Sequence, residues 1–390
     1  MDEVRNPFAP GAGSQPPELA GRDEILESAR IAVERSIRRK PTQSQILLGL
    51  RGVGKTVLLN KIAHIAEGRS HFTSMIEAPE GAPLPGLLYP HIQQVLKKLS
   101  LIEQAKATAF GAMRTLRSFA SIFKIEAGDF ALSVEPEIGS ADSGNIGYDL
   151  ADLFIRVGEA AAAGGRGWTL LIDEIQYLNE RDYAALIVAI HRINQKNLPV
   201  LFFGAGLPQV AAISGNIKSY AERLFNYPYV GALDNESAQI AIRNPIEDEG
   251  ERIEQGALQA IIKKTHGYPY FLQEWGYQAW NFADKSPISE ADIEQSSKRV
   301  LKRLDDGFFK VRFDRLTPRE REYVCAMAKL GNGPYRSGDV AEKMGEPINK
   351  LGPMRASIIK KGMIYSPSHG DIDFTVPLFG DYLMRNWISN

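Results

Sequence analysis

At 390 residues the chain exceeds what one compact core organises, and two or three domains are expected. A 44% hydrophobic and 24% charged content excludes a disordered chain, and a formal charge of −1 excludes a global field aimed at nucleic acid or membrane. No apolar run approaches the ~20 residues of a membrane helix, and MDEVRNPFAPGAG lacks a signal peptide's apolar core, so a cytoplasmic protein is the expectation.

Residues 1–44 read as an extended lead-in, NPFAPGAGSQPP, and then a helix, LAGRDEILESARIAVERSI, with Ile25, Ala29, Ala32 and Ile37 at helical spacing. Residues 45–233 alternate strands with helices. ILLGL (46–50) has strand length, a glycine-rich turn follows, and VLLNKIAHIAEG is a helix ending at Gly68. FTSMIEA (72–78) alternates like a strand, and one long helical stretch spans about 86–119. FKIEAGDFALSVEPEIG alternates on both sides of Gly128 and Asp129, which predicts an inserted β-hairpin at about 123–138. Helices over 148–163, 180–196 and 208–224 then separate the buried strands GWTLLIDE and LPVLFFGAG and a short strand, YPYVGAL. Strands of continuous apolar character between helices predict an α/β fold, a parallel sheet covered on both faces.

From 234 to 310 every periodic segment is helical, which marks a separate small domain. Residues 311–390 begin with TPREREYVCAMAKL, a helix with Thr317 as N-cap and Pro318 at its first position. A short helix, SGDVAEKMG, a longer one, PINKLGPMRASIIKKG, and a hairpin, GMIYSPSHGDIDFTV, complete the order of a winged helix-turn-helix. Pro353 suggests an irregular start to the longer helix, at Met354. Cys325 is the one cysteine, so no internal disulfide forms; it is read as a buried structural residue, with a reactive thiol as the alternative.

Chemistry concentrates in two places. GLRGVGKT, Gly49 to Thr56, fits G-x-x-x-x-G-K-[ST] between a strand and a helix, the context this phosphate-binding motif requires. Its glycines let backbone N–H groups wrap phosphate oxygens, and the following helix aims its positive end at the same anion. Lys55 reaches the β- and γ-phosphates, and Thr56 offers its hydroxyl to Mg2+. The contacts expected of this segment come from Gly49, Arg51, Gly52, Val53, Gly54, Lys55, Thr56 and Val57. The second place is LLIDEIQYL, where Asp173 ends a buried strand. A carboxylate there needs a partner, and a Mg2+ shared with Thr56 and nucleotide is the natural one. Glu174 beside it is suited to polarise an attacking water. The competing readings are a helix-capping acid for Asp173 and a solvated charge for Glu174.

These motifs resemble the P-loop ATPases of the AAA+ type, in the branch shared by origin-recognition-like, archaeal-type and STAND ATPases. LAGRDEIL resembles that family's N-terminal box near the adenine, here Gly21, Arg22 and Glu24. SYAERLF resembles the region of its arginine finger, which makes Arg223 the candidate; a surface ion pair with Glu222 or another acid is the alternative. HGYPYFLQEWG resembles the motif of its helical lid, with Gly267 and Pro269 closing over the nucleotide. The resemblance implies ATP and Mg2+ as cofactors, ATP hydrolysis, a lid, a winged helix and homo-oligomers. Two departures stand out. The family's polar sensor at the end of LPVLFFGAG is replaced by Gly204, Ala205 and Gly206, and Tyr268 and Tyr270 stand where many members carry a sensor arginine. Both lean toward the STAND-like or archaeal-type variants and toward slow turnover or a nucleotide switch.

In a winged helix, PINKLGPMRASIIKKG is the recognition helix, and Lys350, Arg355, Lys360 and Lys361 are its candidate contacts to double-stranded DNA. Residues 317–390 carry ten basic and eight acidic side chains, a weak excess for DNA binding. Packing against the ATPase or a partner protein is the equal alternative. The 123–138 hairpin is net acidic, with Lys124 against Glu126, Asp129, Glu135 and Glu137, which favours a protein contact.

Overall fold

The computed structural model describes residues 1–11, 16–125, 135–137 and 139–388. Most of the hairpin expected at 123–138 falls outside the described residues. The chain forms two compact units, one of Asp23–Gly49 with Lys55–Tyr229, the other of Met1–Arg22, Leu50–Gly54 and Val230–Asn390. No helix among the described residues is long and apolar enough to cross a membrane.

The first unit is the α/β fold the sequence predicts. In chain order it holds α1 (Asp23–Ile37), β1 (Ser44–Leu48), α2 (Lys55–Glu67), β2 (His71–Glu77), α3 (Leu84–Ser100), α4 (Lys106–Ile122), α5 (Ile146–Ala163), β3 (Gly167–Asp173), α6 (Glu180–Gln195), β4 (Val200–Gly206), α7 (Val210–Ile217), α8 (Ala221–Leu224) and β5 (Phe225–Asn226). The strands are parallel in the order β2-β3-β4-β1-β5. Every residue of β1, β3 and β4 is buried, as apolar runs in the middle of a covered parallel sheet must be, whereas the edge strand β2 is only partly buried. α2 packs on α1, β2, β3 and β4, while α3 to α6 pack on one another. The register pairs Ile172 with Gly204 and Leu48 with Gly206, so β1, β3 and β4 end side by side.

Four local expectations need correction. The stretch read as one helix over 86–119 is two, because Ile102 and Ala105 fold the chain against Gly164, where a Cβ would stand 3.2 Å from that of Ala105. The helix expected over 208–224 is α7 and α8, parted at Lys218, whose backbone is extended. The last strand lies at Phe225–Asn226 rather than in YPYVGAL. Pro228 has no N–H to give a ladder; its carbonyl accepts from Leu48 N at 3.0 Å, and Tyr229 adds only an isolated bridge. The longer helix of the C-terminal region, Ile348–Lys360, begins before Pro353 rather than after it.

The second unit opens with the N-terminal segment, where a short 3-10 turn at Glu3–Arg5 leads to Phe8, buried at 3% exposure. Trp280 Nε1 donates to Asp2 O at 2.8 Å, and Asn6 Nδ2 to Tyr277 O at 3.0 Å. Four helices follow, α9 (Asn235–Asp248), α10 (Gln255–Thr265), α11 (Pro269–Phe282) and α12 (Glu290–Arg303), then a π-helical turn at Leu304–Phe309 and α13 (Lys310–Phe313). α14 (Pro318–Ala328), β6 (Tyr335–Arg336), α15 (Ser337–Met344), α16 (Ile348–Lys360), β7 (Ile364–Tyr365), β8 (Asp371–Phe374) and α17 (Phe379–Leu383) complete it. The three short strands form an antiparallel sheet in the order β6-β8-β7. Thr317 caps α14 through a reciprocal capping box with Glu320, as expected. Cys325 is half-buried rather than buried, and burial raises its thiol, which opposes a reactive thiolate. An aromatic seam runs through the unit: Tyr270 stacks on Phe308 at 4.6 Å, Phe309 on Tyr382 at 5.3 Å, and Phe313 meets Trp387 at 4.5 Å.

Candidate functional site

The carboxyl ends of adjacent parallel strands leave backbone groups and a crevice facing one way, and ligands of open α/β sheets bind there. β1 ends at Leu48, and Gly49 N donates to Gly206 O at 3.1 Å, tying the following turn to the end of β4. α2 begins at Lys55, so the turn delivers Lys55 and Thr56 to the first turn of a helix, where N–H groups lack intrahelical partners. Lys55 is buried at 6% exposure, and its Nζ donates to Gly49 O at 2.9 Å. The hydroxyl of Thr56 donates to Asp173 Oδ2.

Asp173 closes β3 and is 4% exposed. Its Oδ1 accepts from Glu174 N at 2.8 Å. Burial raises its pKa, against the hydrogen bond from Thr56 that lowers it. Thr56 and Asp173 together present hard oxygen donors, the donor type Mg2+ takes. Among the described residues no cluster of three or more His, Cys, Asp or Glu side chains gathers as a metal site.

Glu174 is the point where the chain turns. It adopts the left-handed conformation at φ 54°, ψ 39°, ahead of a 3-10 turn at Ile175–Tyr177. A non-glycine residue held there marks a constrained position of the kind functional sites use. Its carboxylate accepts a hydrogen bond from Gln176 Nε2. Lys55, Thr56, Asp173 and Glu174, four of the residues singled out in the sequence, are thus placed together in one unit.

In the second unit, Leu50–Gly54 lie with the helices. Gly52 at φ +84° and Gly54 at φ +93° take backbone conformations that favour glycine, which accounts for the motif's spacing. Val53 is buried. Tyr270 N donates to Gly52 O at 3.2 Å, and Tyr268 Oη donates to Arg51 O. Pro269 starts α11 between those tyrosines. The guanidinium of Arg51 packs on Gly362, where a Cβ would lie 2.4 Å from Nη2. Arg312 lies over Phe308 at 3.7 Å and donates to its carbonyl at 2.8 Å. Its pKa is pushed down to about 10 by burial, and next by the like charge of Arg51. Gly21 at φ +67° packs on Ser237, and buried Arg22 donates to Gly231 O. Burial lowers Arg22, opposed by Asp234.

The remaining candidates lie elsewhere. Val57 follows Thr56 in α2 and is half-buried. Arg223 is exposed on α8, and among the described residues its guanidinium makes no ion pair; its carbonyl accepts from Gln43 Nε2 at 2.7 Å. On α16, Lys350 and Lys360 are exposed. Arg355 donates to Ser337 Oγ at 2.9 Å, and Lys361, just past the helix, binds Glu320 at 2.6 Å. Two residues of interest escaped the sequence reading, Gln176 and Arg312. Gln176 stands two residues beyond Glu174 in DEIQ, and Arg312 lies in FFKVRF, where an arginine among aromatics was the available signal.

Residues 18–203 match the family model described as AAA ATPase domain, and residues 306–383 match one described as Domain of unknown function (DUF8462). No curated protein matches the chain. Among solved structures, a Walker-type ATPase of Pyrococcus abyssi is similar with a TM-score of 0.56 at 16% identity, over 94% of this chain and 96% of that one. The RuvB Holliday junction branch migration motor of Thermotoga maritima gives 0.45 at 15% identity, over 95% and 98%. The ORC1 protein of Aeropyrum pernix in complex with DNA gives 0.47 at 11%, over 98% and 96%. The first of these likenesses bears on fold, and it agrees with the sheet order and the matched region: the fold is that of a P-loop AAA+ ATPase, and residues 18–203 match an AAA ATPase domain.

Proposed function

We propose that this chain, built on that ATPase domain, binds ATP with Mg2+ and hydrolyses it. The observation that carries the reading is the convergence of Thr56 and Glu174 on the buried Asp173, with Lys55 buried at the start of the same helix. Backbone N–H groups of the 49–56 turn and of the first turn of α2 bind phosphate oxygens. Lys55 lays its ammonium on the β- and γ-phosphates. Thr56 and Asp173 would hold Mg2+, which when bound neutralises charge on the phosphates. Glu174 orients a water and takes its proton as the water oxygen bonds to the γ-phosphorus; the bond to the bridging oxygen breaks and ADP leaves. Gly21, Arg22 and Pro269 are the proposed adenine-side and lid contacts.

The finer parts of the proposal concern partners. Arg223, exposed on α8, supports a finger offered to a second copy, and so a homo-oligomer. The order helix, strand, two helices and hairpin over 318–374 supports a winged helix, and the exposed Lys350 and Lys360 are its candidates for double-stranded DNA. Arg355 and Lys361, tied to Ser337 and Glu320, favour an internal role, and a partner protein remains the competing target. A second reading, a nucleotide-gated switch with little turnover, is favoured by one feature: β4 ends in Gly204, Ala205 and Gly206 and offers no polar side chain.

The test is equilibrium binding of a fluorescent ATP analogue, with Mg2+ or EDTA, to wild type and Lys55→Ala, beside phosphate release. Wild type should bind with Mg2+ and release phosphate, and Lys55→Ala should lose at least tenfold in affinity. Equal binding by both proteins would overturn the reading.

A further inference from the structure

We infer that Gln176 is a positioning residue that holds Glu174 for water activation, doing from the 3-10 turn after β3 what no side chain of β4 does here; the inference rests on the ATPase reading above. Gln176 Oε1 accepts from Leu207 N at 3.2 Å, just past β4, while its Nε2 donates to Glu174 Oε2. A backbone N–H cannot accept and an ionised carboxylate cannot donate, so only one orientation of the amide satisfies both partners. The end of β4 thereby fixes which face of the amide meets Glu174.

The space around β4 agrees. A Cβ on Gly206 would stand 2.9 Å from Gln176 Oε1, 2.8 Å from Val210 Cγ2 and 3.0 Å from Ile175 Cγ1. The place where the last residue of β4 would project is filled by the Ile175–Gln176 turn. Glu174's backbone is fixed by its bond to Asp173 Oδ1, and the bond from Gln176 is the one its carboxylate accepts among the described residues. Without it, three side-chain torsions are released and the base spends less time in the attacking geometry.

Gln176→Met and Gln176→Glu separate positioning from scaffolding. Methionine keeps the length and loses both bonds. Glutamate still accepts from Leu207 N but sets a second carboxylate against Glu174. Steady-state ATP hydrolysis should fall about tenfold to a hundredfold in kcat for both, with the affinity for MgATP within about twofold of wild type. In a Glu174→Gln background neither change should lower the residual rate further, because Gln176 acts through Glu174. Thermal midpoints accompany each variant, and should Gln176→Met fail to fold, Gln176→Glu carries the test. Wild-type kcat in Gln176→Glu, or an equal loss in the Glu174→Gln background, would overturn the inference and leave the ATPase reading standing. A wild-type protein without Glu174-dependent turnover would overturn both.

Discussion

Asp173 shows how the site's chemistry weighs on the fold. Its carboxylate is buried, and burial raises its pKa, so the folded chain disfavours the ionised form. A raised carboxylate subtracts stability as pH climbs through the ordinary carboxylate range toward the raised value, and the whole penalty is present above it. Asp173→Asn keeps one oxygen to accept from Glu174 N, presents Nδ2 to the Thr56 hydroxyl, which can turn to accept from it, and removes the charge. In EDTA at neutral pH its thermal midpoint should therefore equal or exceed wild type by about 2–4 °C, while stabilisation by MgATP should vanish. A drop in the midpoint without nucleotide would contradict this view of Asp173. The GKT and DE residues were legible because a phosphate site needs those residue types at that spacing beside a strand end. Gln176 was not legible: its partners, Glu174 and Leu207, are brought together only by the pairing of β3 with β4.

At the scale of elements, α14 and α16 are coupled through one carboxylate. Burial would raise Glu320, but Lys361, Ser357 and Thr317 together hold it down at about 2. A depressed carboxylate contributes stability that is present above its unfolded value and lost as pH falls toward the folded one. Between about pH 4.5 and 2 the second unit should lose on the order of 2 kcal/mol from this group, and Glu320→Gln should flatten that acid limb in a pH series of urea melts. The N-terminal segment makes a second test. Phe8→Ala should cost about 2–4 kcal/mol, read as a lower urea midpoint, since the ring fills space on α11 where a Cβ at Gly276 would stand 2.7 Å from it. An unchanged midpoint would show that the segment does not hold the unit. Continuous apolar strands placed β1, β3 and β4 in the sequence. The break between α3 and α4 escaped because apolar periodicity runs through it, and contact with Gly164 decides the turn.

Across the whole molecule, the loop residues Leu50–Gly54 belong to the same unit as the C-terminal region, joined through Tyr268, Tyr270 and Gly362. Gly362→Ala should be felt in nucleotide binding. Its φ of +66° penalises a side chain by about 1 kcal/mol, and the new Cβ would press on Arg51. MgATP affinity should fall several-fold with the sheet unit intact; unchanged affinity would show that this contact does not bear on the loop. The order of elements from 234 to 390 could be read from the sequence, but the seam that makes them one unit could not, because Phe308, Phe309, Phe313, Tyr382 and Trp387 meet only after folding. The central claim is hydrolysis of ATP by Glu174, and it is tested most directly by phosphate release from wild type and Glu174→Gln, at several protein concentrations, with and without double-stranded DNA. The account predicts turnover in wild type, rising more than linearly with concentration if Arg223 acts on a neighbour, and a loss of 10²-fold or more in Glu174→Gln despite retained MgATP binding. Tight MgATP binding with equal, near-zero phosphate release from both proteins would contradict it and leave a nucleotide switch.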